Sequence, residues 1–109
     1  MPSTLKTLLR IQNCANIAPI AVWDGINDIQ SILYQNSLTQ AQVNTVLQKI
    51  WENKANFTAA APILNLITNA APSGTYQAAS PPTTGKEYAY DLVNGAYTAA
   101  GPEWTVTTA

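Results

Sequence analysis

Histidine is absent from all 109 residues, which removes at once the commonest general base, the Ser/His and Cys/His nucleophile pairs and the commonest metal ligand. Any acid/base chemistry would fall to six carboxylates: Asp24, Asp28, Glu52, Glu87, Asp91 and Glu103. Glu87 and Asp91 stand one helical turn apart and could pair for such work. Glu87, however, also occupies the third position of a capping box opened by Thr84, and no neighbour would drive the two pKa values apart. The pair reads as a solvated helix face. Asp24-Gly25-Ile26-Asn27-Asp28 has the oxygen density of a calcium loop without its length or distal glutamate, and reads as a turn with Asx hydrogen bonds. The glycines never form a phosphate loop, and Asn56-Phe57-Thr58 is a glycosylation sequon only for a chain that enters a eukaryotic secretory pathway. Cys14, the single cysteine, cannot form an internal disulfide and reads as a small apolar strand residue. The expectation is a protein that is not an enzyme, with no catalytic, cofactor or metal site.

Aromatic rings are the remaining candidates for contact. Trp51 and Tyr88 fall on apolar helix faces and read as core. Tyr76, Tyr90 and Tyr97 fall in a loop, on the less apolar side of a helix and in the loop after it; with Pro81 and Pro82 they form the candidate interface. The same tyrosines would serve equally as a sugar platform.

Charge narrows the partners. Charged residues make up 10% of the chain, against about 25% in an average soluble domain, and the net charge is −1. Lys6, Arg10, Lys49, Lys54 and Lys86 are scattered, so no phosphate-tracking groove and no nucleic-acid partner are expected. With 47% hydrophobic residues, much of the surface must be amides, hydroxyls and alanine. Such a neutral surface suits a chain packed into an assembly. Met1-Pro2-Ser3-Thr4 does not read as a secretory signal, and no apolar stretch approaches the ~18 residues of a membrane span.

The elements that must position these residues follow a short apolar repeat: Leu9-Arg10-Ile11-Gln12-Asn13-Cys14, Ile32-Leu33-Tyr34-Gln35-Asn36-Ser37 and Leu64-Asn65-Leu66-Ile67-Thr68-Asn69. The first copy fits a short helix or a strand, and the second copy favours a strand at 8 to 13. Residues 15 to 28 read as an irregular connection anchored by Ile17, Ile20, Val22, Trp23 and Ile26, covering the first open end of a stack. A second strand is expected near 30 to 36. Thr39 and Gln42 then form a capping box, and Val43, Val46, Leu47, Ile50 and Trp51 share one face of a helix over 40 to 53, opposite Gln40, Asn44, Gln48 and Glu52. Residues 56 to 62 read as a linker and 63 to 68 as a third strand. The Pro/Gly/Ser/Thr-rich stretch 69 to 85 must be a loop, either functional or pinned by Tyr76. A short helix over 85 to 93 buries Tyr88, Ala89, Leu92 and Val93 and ends at Asn94-Gly95, and Trp104-Thr105-Val106-Thr107-Thr108 closes the chain as a strand. One α/β domain is expected over 1–109, with about four mainly parallel strands and two helices on one side. It divides into an irregular cap (1–28), a best-defined repeat (29–62), the loop (69–85) and a C-terminal helix-strand unit (86–109).

Asn36-Ser37-Leu38-Thr39-Gln40-Ala41-Gln42-Val43-Asn44 resembles a degenerate leucine-rich repeat, in which an asparagine turn precedes a leucine and then the convex-side helix. Asn69-Ala70-Ala71-Pro72-Ser73-Gly74, Pro81-Pro82-Thr83-Thr84-Gly85-Lys86-Glu87, Leu92-Val93-Asn94 and Trp104-Thr105-Val106-Thr107 together resemble a terminal module of virion structural proteins of tailed bacteriophages, over roughly residues 30 to 109. The resemblance implies a short, irregular LRR-like stack and a virion location. Its implied role is structural or host-facing: contacts with other virion proteins or further copies of itself in capsid decoration, neck or tail. A receptor- or glycan-binding module on a virion or cell surface is the alternative.

Overall fold

The computed structural model describes residues 8–12, 31–35, 37–58 and 60–109. Cys14, the 15 to 28 connection with its apolar anchors, and the Asp24 to Asp28 turn lie outside the described residues. The fold is mixed α/β. In chain order its elements are β1 (Leu8–Gln12), β2 (Ser31–Gln35), α1 (Gln40–Glu52), a 3-10 turn (Lys54–Asn56), β3 (Ile63–Leu66), α2 (Gly85–Asn94) and β4 (Thr105–Thr108). Neighbouring strands pair in parallel in the order β1-β2-β3-β4.

The sequence repeat coincides with the lateral register. Leu9 stands opposite Ile32, Ile32 opposite Leu64 and Leu64 opposite Val106, while Gln12 stands opposite Gln35. A parallel sheet stacks equivalent positions of successive units side by side, so the repeat at fixed phase sets Ile32, Leu64 and Val106 in one apolar row.

Both helices start where side chains can satisfy their free amides. Thr39 Oγ1 accepts from Gln42 N at 3.3 Å and Gln42 Oε1 accepts from Thr39 N at 2.9 Å. At α2, Thr84 Oγ1 accepts from Glu87 N at 3.4 Å and Glu87 Oε1 from Thr84 N at 3.2 Å. Each reciprocal pair removes two unsatisfied donors from a helix N-terminus. α2 stops at Gly95, which takes the left-handed conformation (φ 61°) and donates its N–H to Asp91 O at 2.8 Å. Glycine meets no Cβ penalty there.

Ile32, Leu64 and Leu66 join Val43, Val46, Leu47 and Ile50 of α1 and Tyr88, Ala89 and Leu92 of α2 in one buried cluster. Alternation does the sorting, since β3 buries Leu64 and Leu66 while Ile63 stays 43% exposed. Phe57 and Trp104 close the cluster, edge to face with centroids 5.0 Å apart. The expected 56 to 62 linker is thus partly core, because Phe57 and Pro62 are buried. Among the described residues no helix is long and apolar enough to cross a membrane.

Candidate functional site

The long 69 to 85 loop is fixed to the body by polar side chains. Asn69, buried, accepts from Leu38 N through Oδ1 at 2.9 Å and donates through Nδ2 to Leu66 O at 3.2 Å. Asn44, expected on the polar outer face of α1, instead takes Ser73 in both directions: Nδ2 donates to Ser73 Oγ at 2.8 Å, and Oδ1 accepts from Ser73 N at 3.0 Å. Ser73 O accepts from Lys86 N at 2.9 Å, which carries the tether on to α2. Glu87 adds a third attachment, accepting from Thr83 N and Gln77 Nε2 as well as from Thr84 N. The Thr83 amide, followed by the Gln77 amide, holds its carboxyl below the usual range. Tyr76 adds a ring contact with α2. Its ring is 51% exposed and meets Tyr90 edge-on at 5.0 Å.

Fixing the loop places Pro72 and Tyr76 over the gap between α2 and β4. A groove of about 260 Å³ opens there, completed by Lys86 and Ala89 of α2 and by Val106, Thr108 and Ala109. Small-molecule sites usually measure about 300–1,000 Å³, so this groove suits a side chain or two better than a cofactor. It borders β4, which stands at the end of the strand order and, among the described residues, has β3 as its one neighbour. An edge strand offers unpaired N–H and C=O groups along its free side.

The other candidate residues are distributed differently. Tyr90 is half-buried beside Tyr76, and the two rings form one patch at the groove. Tyr97, 51% exposed, stacks instead on Trp51 at 6.4 Å, and Trp51 also meets Tyr88 at 5.1 Å. Pro81 is exposed after a cis peptide bond, whereas Pro82 is buried.

Glu87 and Asp91 do not form the expected solvated face. Asp91 is 2% exposed and accepts from Tyr97 N at 2.6 Å, from Thr98 N at 3.0 and 3.1 Å, and from Trp51 Nε1 at 2.6 Å. Burial alone would raise its pKa, but the Tyr97 amide, the Trp51 indole and the Thr98 amide outweigh it and hold the carboxyl below its ordinary value. Lys54, one of the five scattered bases, is fully buried and donates Nζ–H to Thr98 O. Buried Asp91 and buried Lys54 thus both hold the 97–98 segment through its backbone. Burial, with Glu52 and Glu87 nearby, pushes the Tyr88 phenol up. No group of three or more potential metal ligands occurs among the described residues.

Sequence reasoning missed Lys86, Ala89, Val106 and Thr108 as groove residues. One signal was available: Lys86 sits in the first turn of α2, where the helix dipole disfavours a cation, so its placement there calls for another explanation. Comparison with known proteins gives no matching family model, no matching curated protein and no matching solved structure.

Proposed function

We propose that this protein is a non-enzymatic virion structural component of a tailed bacteriophage, a short LRR-like stack that docks on other virion subunits in a capsid-decorating, neck or tail position. The observation that carries the docking role is the groove of Pro72, Tyr76, Lys86 and Ala89 alongside β4, whose outer edge pairs with no strand among the described residues. The virion assignment rests on the resemblance over residues 30 to 109 and on the low charge of the chain. Support for the LRR-like reading comes from Asn69, which closes the third repeat by bonding the backbone of the preceding unit at Leu38. A mass-spectrometric inventory of particles purified from the encoding phage is the test. The chain is expected in stoichiometric amount, and its absence from intact particles overturns the reading.

The glycan-binding alternative draws on the half-exposed rings of Tyr76 and Tyr97. A glycan-array signal lost in Tyr76→Ala or Tyr97→Ala would favour it, and silence across the array favours structural docking.

A further inference from the structure

We propose that the β4 edge binds an extended segment of a partner protein carrying an apolar side chain and, two residues away from it, a carboxylate. This rests on the docking role above and gives that role its recognition chemistry. A strand added to a sheet edge lies about 4.8 Å from its neighbour and turns every second side chain to the same face. Val106 and Thr108 are the half-buried positions of β4 and line the groove on the helix side, while Thr105 and Thr107 are exposed on the other. The alternate side chains of an added strand would therefore overhang the groove. The first meets Ala89, Val106 and Pro72, an apolar wall that fits a valine-sized group.

Lys86 decides the second. Its ammonium has no carboxylate partner among the described residues, where the ion pair formed is Lys49 with Glu52 at 3.3 Å. It also stands in the first turn of α2, against the helix dipole. An incoming carboxylate would satisfy the cation and at the same time face the favourable end of that dipole. The edge itself carries no guard against pairing, because Thr105-Val106-Thr107-Thr108 contains neither charge nor proline. A cation beside a neutral, open edge selects for an acidic strand.

The test is an NMR titration of the isotope-labelled chain with acetyl-Thr-Val-Thr-Asp-Thr-amide, compared with the same peptide carrying Asn in place of Asp. The acidic peptide should shift the amides of Ala89, Val106 and Thr108, and the neutral one should bind about fivefold more weakly. In Lys86→Gln the two peptides should bind alike, because the variant removes the charge that tells them apart. Indifference of the unaltered chain to the Asp/Asn change, or no shift at these amides at millimolar peptide, overturns the proposal without reliance on the variant. Concentration-dependent shifts at residues 105 to 108 without peptide would assign the edge to a second copy and also overturn it. A silent titration of a chain that is present in particles would refute the segment chemistry while leaving the virion role standing.

Discussion

Asp91 joins three parts of the molecule: its own helix α2, the Tyr97–Thr98 turn and the Trp51 indole at the end of α1. Asp91→Ala would leave two backbone amides and an indole N–H without their acceptor, at about 1–3 kcal/mol per stranded donor less whatever water recovers. A net loss of about 3 kcal/mol is expected in a urea titration followed by tryptophan fluorescence, with Asp91→Asn in between because one acceptor oxygen is kept. The pH dependence has a definite sign. A carboxyl whose pKa is lower folded than unfolded stabilises the protein above its unfolded value, and that stabilisation is lost as pH falls toward the folded value. Wild-type stability should therefore decline below the ordinary carboxylate range, and the decline should be shallower in Asp91→Asn. The local sequence marked Glu87 as the capping-box residue of Thr84 and left no sign that Asp91 is buried. The difference came from the turn at 97 and 98 folding back over one of them.

At the scale of elements, both helices were legible because their signals are local. Capping boxes at Thr39/Gln42 and Thr84/Glu87, the apolar stripe of α1 and the Gly95 stop all act within a few residues, and each is formed. The loop was legible only as a loop. What fixes it is Asn44, 29 residues from Ser73 in sequence, and such a pairing has no local signature. Asn44→Ala should cost about 2 kcal/mol, one for each hydrogen bond lost, while leaving the α1 cap intact. Hydrogen exchange at the Ser73 and Lys86 amides is the measurement. Loss of protection there with α1 unchanged is expected, and the groove opposite Pro72 should loosen with it. Equal loss of protection across α1 would mean that Asn44 supports the helix and not the loop.

For the whole molecule, the sheet is sided. Its helix face holds the core and the other face of β3 and β4 shows Ile63, Asn65, Thr105 and Thr107. Ile63→Lys should therefore change the urea midpoint by no more than the equivalent of about 0.5 kcal/mol, whereas Leu64→Lys, one residue on and fully buried, should abolish cooperative unfolding. A large loss in Ile63→Lys would show that the outer face is covered. The sequence alone determined the mixed α/β class, the two helices with their ends, and the phase of the apolar repeat that became the parallel register. Those depend on periodicity and capping, which are properties of neighbouring residues. Tertiary structure decided the burial of Asp91 and Lys54, the anchoring of the loop by Asn44, and the meeting of Lys86 with the β4 edge. These depend on contacts between α1, the loop, α2, the 97–98 segment and β4, which periodicity and capping within one element do not encode. The absence of histidine directed attention away from catalysis, and the assembled groove directs it to the edge of the sheet.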